Sequence, residues 1–255
     1  MIDFAPDYSK AIVHPSPNHG ERREGRAPDA IVLHYTGMPS GQSALDRLCD
    51  PAAEVSSHYL VFEDGRVLQL VPEARRAWHA GASRWGADTD LNSCSIGIEI
   101  VNPGHDGALP PYPQAQIEAV AALCCDIIAR HAIAPERILA HSDIAPGRKR
   151  DPGEHFPWEI LHQLGVGHWA PPAPISGGRF LSPGERGQPV EALQAMLALY
   201  GYPCPQNGLY DRETEAVVAA FQRHFRPARV DGVADASTIS TLRDLIAVLP
   251  ALPQG

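Results

Sequence analysis

The pattern of apolar and polar positions divides the chain into two unlike parts. In the first, short strand-type runs alternate with helical stretches. Ala30-Ile31-Val32-Leu33-His34-Tyr35-Thr36 is apolar on both faces as far as Leu33, as expected of a central strand covered on both sides. Ser95 to Val101 is a second such run, with Ile96, Ile98 and Ile100 on one face and Gly97, Glu99 and Val101 on the other. Arg137-Ile138-Leu139-Ala140 is a third. Ser56 to Phe62 and Arg66 to Val71 predict a hairpin about Asp64-Gly65. Residues 114–131 repeat Ile117, Val120, Ala121, Cys124, Ile127, Ile128 and His131 at steps of three and four behind Pro113, which predicts a helix lying on the sheet. Ser43 to Cys49, capped by Ser43, and Trp158 to Gly165 predict shorter helices. Residues 1–28, with Pro6, Pro15, Pro17 and Pro28, read as an extended lead-in with an ordered loop at Ser16 to His19.

The second part is helical throughout. Val190, Leu193, Met196, Leu197 and Tyr200 mark one helix, ended by Gly201. Thr214, Val217, Val218, Phe221 and Phe225 mark another, with Asp211 as N-cap; Ala236 to Leu249 predicts a third, capped by Asp235. The Pro- and Gly-rich stretch Ala170 to Gly178 is a composition break. The chain therefore divides into a sheet-containing domain at 1–169, a linker at 170–187 and a small three-helix domain at 188–255.

Composition narrows the function. An apolar fraction of 44% supports a normal core. A net charge of −9 without any basic block argues against nucleic acid as partner. No apolar run is long enough to span a bilayer. Met1 to Lys10 is polar and mixed, unlike a conventional signal peptide, so the expected compartment is the cytoplasm. Five cysteines without a CxxC pair make both a disulfide framework and a thiolate metal site poor readings. Cys124 and Cys125 are expected to be small core residues.

The candidate chemistry gathers where strands end. His141 follows the third strand and opens a loop, His141 to Gly153, whose two Pro and two Gly can turn Asp151 back beside it. Imidazole and carboxylate are both zinc ligands, and His34 at the end of the first strand offers a third. Taken alone, His34 reads more readily as an ordinary hydrogen-bonded side chain at a strand end than as a ligand. Glu99 is an acid inside an apolar strand, where it needs a cation, a water or several donors. Lys149 is one of only two lysines among 21 basic side chains, and a compact ammonium suits developing negative charge. Trp78 and His79 read as cleft wall or as loop packing.

Three segments carry a family resemblance: Val32 to Thr36, Ile96 to Asn102 and His141 to Gly153. Over roughly residues 15–165 the chain resembles the zinc-dependent N-acetylmuramoyl-L-alanine amidases, a group that includes AmpD-type and AmiD-type enzymes and is similar to phage T7 lysozyme and the peptidoglycan recognition proteins. The resemblance implies an α/β fold with a mixed central sheet flanked by helices. It implies Zn2+ held by His34, His141 and Asp151, with Glu99 as acid/base and Lys149 as the lysine near the metal. Glu191 to Gln194, Gly208 to Thr214, Ala220 to Gln222 and Val230 to Gly232 resemble the three-helix peptidoglycan-binding domain of cell-wall hydrolases. The implied reaction is cleavage of the amide between N-acetylmuramic acid, or its 1,6-anhydro form, and L-alanine of the stem peptide. The implied partner is peptidoglycan or a muropeptide. A non-catalytic muropeptide-recognition protein is the alternative. A wall-binding domain points to the periplasm, against the cytoplasmic expectation from the N-terminus.

Overall fold

The computed structural model describes residues 4–175, 177–178 and 180–249. Among these described residues eight strands form, in chain order β1 (Ile12–Val13), β2 (His19–Glu21), β3 (Ala30–Tyr35), β4 (Tyr59–Val61), β5 (Val67–Gln69), β6 (Arg75–Ala77), β7 (Ser95–Ile100) and β8 (Ile138–Ala140). Six of them make one sheet, in the order β1-β5-β4-β7-β3-β8, and β2 pairs with β6. The sheet is mixed: β4 and β5 form the antiparallel hairpin, while β3 runs parallel to both β7 and β8. The two long apolar runs are the adjacent central strands, in the register His34 opposite Glu99.

That register decides what each face carries. In parallel strands, partnered residues point to the same side. Ile31, Leu33, Ile96 and Ile98 therefore share one face, where they pack against Ile117, Val120, Cys124 and Ile127 of α3 (Gln114–His131). His34 and Glu99 point to the opposite face. There Leu60 and Val101 pack on α1 (Gly41–Cys49), and Ala30, Val32 and Leu139 join a core shared with the C-terminal helices. The functional side chains thus emerge between two packed regions of the same face.

Three further short helices lie in the first part of the chain: α2 (Leu91–Cys94), α4 (His141–Ile144) and α5 (Trp158–Gln163). The predicted helix over 114–131 forms with those bounds. The cap of α1 is Ser40 rather than Ser43; Ser43 stands at the third helical position and completes a reciprocal capping box. His141 opens α4 rather than a loop. Cys124 is buried as expected, but Cys125 is exposed, because it falls on the solvent side of α3. All five cysteines are free.

The C-terminal part forms α6 (Gln188–Tyr200), α7 (Arg212–Phe225) and α8 (Ala236–Ala247). The Asp211 and Asp235 side chains accept from Thr214 N–H and Thr238 N–H, each at 2.8 Å, as N-caps do. The stretch expected to be a linker is attached to these helices. Ala173 N–H donates to Thr241 Oγ1 at 3.0 Å, and Ser237 Oγ donates back to the Ala173 carbonyl at 2.6 Å.

The helices also pack on the sheet-containing part instead of standing apart. Trp85 meets Tyr202 edge-on with ring centroids 5.0 Å apart, and Trp158 stacks on His224 at 3.7 Å. Gly86 N–H donates to the Gly201 carbonyl at 2.7 Å. A Cβ on Gly201 would stand 2.4 Å from the Trp85 ring, so glycine permits this approach, and its φ of +130° suits glycine as well. No helix among the described residues is long and apolar enough to cross a membrane.

Candidate metal centre and active-site cleft

His34 reaches the site because β3 is buried up to its last turn of pleat; the residue is 1% exposed. His141 arrives from β8 through α4 and is 3% exposed. The chain then leaves and returns, and Ser142 N–H donates to the Asp151 carbonyl at 3.0 Å, which closes the loop and brings Asp151 alongside. His34 Nδ1 and His141 Nδ1 lie 2.8 Å apart, and Asp151 Oδ2 lies 3.1 Å from the first and 2.9 Å from the second. Three potential metal-ligating atoms converge on one point, one from each of these residues.

The surrounding hydrogen bonds fix the protons on both rings. His141 Nε2 faces the Ala80 carbonyl at 3.1 Å. A carbonyl only accepts, so Nε2 carries the hydrogen and Nδ1 presents a lone pair. His34 Nε2 lies 3.0 Å from His79 Nδ1, and His79 Nε2 lies 3.3 Å from Ser95 Oγ. The Ser95 hydroxyl hydrogen goes to the Leu91 carbonyl. Ser95 therefore accepts from His79, His79 accepts from His34, and His34 Nδ1 also presents a lone pair.

Two lone pairs and a carboxylate facing one another repel unless a cation lies among them. The donor set, two neutral imidazoles and one carboxylate, fits a divalent transition metal. Burial favours the uncharged form of His34 and, with His141 beside it, lowers its pKa to about 4. That direction keeps His34 in its ligating form.

A cleft of about 320 Å³ opens over this point, lined by His141, Asp151, Glu99 and Lys149, with Tyr35, Arg47 and Trp78 on its walls. Glu99 Oε2 is buried without a hydrogen-bond partner. Burial, and next the Asp151 charge, push the Glu99 carboxyl well above the usual carboxylate range, while Lys149 acts in the opposite direction. An unpaired buried carboxyl oxygen beside a metal-ligating cluster is poised to take up a proton from a ligand in the cleft.

All five residues singled out from the sequence thus line or floor one cleft. His79 lines it too, and its contact to His34 makes it more than wall or loop packing. The sequence signal was available only as an aromatic–imidazole pair in a loop. His58 sits outside the cleft. Its Nδ1 accepts from Gly97 N–H and its Nε2 faces the Arg75 carbonyl, each at 3.0 Å, so it ties β6 to the sheet. The His79 ring lies directly over Gly97, where an added Cβ would stand 2.4 Å from it. Gly97→Ala is expected to displace His79, lower stability by about 1–3 kcal/mol and weaken metal binding. Urea titration and chelator competition measure the two effects.

The chain belongs to the N-acetylmuramoyl-L-alanine amidase family, whose model matches residues 24–154. A peptidoglycan binding domain model matches residues 186–242. The N-acetylmuramoyl-L-alanine amidase AmiD of Escherichia coli K12 is 43% identical over 222 residues, which cover 82% of this chain and 78% of that protein. The structure of E. coli AmiD in complex with the substrate anhydro-N-acetylmuramic acid-L-Ala-D-gamma-Glu-L-Lys superimposes with a TM-score of 0.74 at 40% identity, covering 88% of this chain and 91% of that one. AmpDH3 of Pseudomonas aeruginosa, in complex with anhydromuramic pentapeptide, gives a TM-score of 0.73 at 30% identity, covering 98% of this chain and all of that one. The mixed sheet and the helical C-terminal region both fall within these superpositions.

Proposed function

We propose that this chain is a zinc enzyme that hydrolyses the amide between the lactyl group of N-acetylmuramic acid, free or as its 1,6-anhydro form, and L-alanine of the stem peptide. The observation that carries the proposal is the convergence of His34 Nδ1, His141 Nδ1 and Asp151 Oδ2 beneath a cleft that also presents Glu99 and Lys149. Three protein ligands with the remaining direction open to a cleft is the arrangement of a catalytic zinc site. The substrate class is supported by the muropeptides held by E. coli AmiD and by AmpDH3.

Bound zinc supplies Lewis-acid activation of the scissile carbonyl and of the attacking water. Glu99 takes the proton from that water and delivers it to the departing L-alanine nitrogen, work for which its unpartnered Oε2 is free. The Lys149 ammonium stabilises the negative charge that develops on the carbonyl oxygen. His79 holds the His34 ring in the orientation that keeps Nδ1 toward the cluster. Lys149→Ala is expected to keep the metal and lower kcat by about 10²–10³-fold, read by steady-state kinetics on a soluble anhydro-muropeptide.

Mass spectrometry of the products tests the reading. Purified protein is incubated with an anhydro-muropeptide, with and without EDTA, and after zinc is restored. Release of a free stem peptide beginning at L-alanine, abolished by EDTA and recovered with zinc, is the expected result. Zinc binding without release of peptide from this substrate or from intact sacculi would point instead to a recognition protein.

A further inference from the structure

His141 is held by a short support. It rides on α4, four residues long, and an element of that length cannot fix its own position. What holds it is Asp143, which is fully buried. A buried carboxylate requires partners, and this one has three. Oδ2 accepts from the Ala140 N–H at 2.8 Å, within the same segment. The other two donors come from the helical C-terminal part. Tyr202 Oη donates to Oδ1 at 2.8 Å, and His224 Nδ1 lies 2.7 Å from Oδ2. Both donors are themselves held firmly: Tyr202 against Trp85, and His224 stacked between Trp158 and Phe225.

We propose that the helical C-terminal domain braces the metal site, with Tyr202 and His224 as positioning residues that hold Asp143 and, through α4, set His141 at its ligating position. The inference rests on the metal-site reading above and goes beyond it. It gives the C-terminal domain a part in the hydrolysis of substrates too small to engage a wall-binding surface. Without the two donors, Asp143 would keep one hydrogen bond in a buried site, and α4 would shift to recover others. His141 stands two residues from Asp143 on the same helical turn and would move with it. Loss of such outer support weakens metal binding by about 10–100-fold.

The test uses the full chain in four forms: parent, Tyr202→Phe, His224→Ala and His224→Asn. Tyr202→Phe removes one hydroxyl and leaves the ring against Trp85, so it reports on the hydrogen bond without a loss of packing. Asparagine at position 224 restores an N–H donor near the place of Nδ1. The zinc dissociation constant, by chelator competition on folded protein, is read beside kcat, KM for a soluble anhydro-muropeptide, and the thermal midpoint. Tyr202→Phe and His224→Ala are expected to weaken zinc binding about tenfold or more and to lower kcat at limiting zinc with little change in KM, and His224→Asn to recover most of the loss. Parent-like zinc affinity in both loss variants, with only the thermal midpoint lowered, overturns the brace and leaves the metal site standing. A parent chain that binds no zinc overturns the metal-site reading, and the brace with it.

Discussion

Glu99→Gln is expected to lower kcat by about 10²–10⁴-fold while zinc stays bound. The substitution preserves shape and removes one ability, the exchange of a proton at a carboxyl oxygen. The structure isolates that ability unusually well. Glu99 makes no ligand contact in the three-residue cluster, and its Oε2 has no hydrogen-bond partner. Its neighbours on the same face are Leu60 and His34 across the sheet and Gly97 and Val101 along the strand. None of these makes Glu99 a structural ion pair. The amide should therefore leave stability unchanged or raised, because a buried unpaired carboxyl costs folding free energy. Zinc analysis, kinetics and urea unfolding on the same preparation separate the three effects. Turnover at the parent rate would remove Glu99 from the reaction.

His34→Ala is expected to have the opposite signature, with metal lost first and activity following. His34 is the only one of the three proposed ligands that lies in the central strands, and its ring is held through Nε2 by His79. Removing it leaves His141 and Asp151 as a two-ligand site, empties a buried volume and orphans His79. Zinc content should fall toward zero after dialysis against a weak chelator, and turnover should fall to background at any zinc concentration that leaves the protein soluble. A His34→Ala protein that retained zinc and turned over would mean that the metal sits elsewhere. The contrast between the two variants is informative: one keeps the metal and loses the reaction, and the other loses both.

Parts of this architecture are legible in the sequence for plain physical reasons. β3, β7 and α3 are long enough for their period to show, and the aspartate caps of α7 and α8 announce themselves by residue type. β1, β2 and β6 are two or three residues each, too short for any period; they exist because partners present hydrogen bonds to them. α4 is hidden for the same reason. His34, Glu99 and His141 could be nominated because polar groups at strand ends or inside apolar strands are conspicuous, and the family resemblance joined them to Asp151 and Lys149. His79, Tyr202 and His224 could not be nominated as supports. Their meaning lies in contacts to residues 45, 59 and 81 positions away, which no local pattern encodes. The packing of the helical part on the sheet is invisible too, since it rests on ring contacts of Trp85 and Trp158 with Tyr202 and His224, far along the chain.

The bond that is cut defines the enzyme, and the placement of an isotope in the products identifies that bond. The zinc-loaded protein is allowed to hydrolyse an anhydro-muropeptide in water enriched in oxygen-18, and both products are weighed. Attack at the lactyl carbonyl places one labelled oxygen in the carboxylate of the sugar acid and none in the released peptide, which begins at an unlabelled L-alanine amine. That is the result predicted here. Label in a new peptide carboxylate, with the sugar still joined to L-alanine, would show a peptidase that cuts within the stem and would contradict the assignment of the reaction.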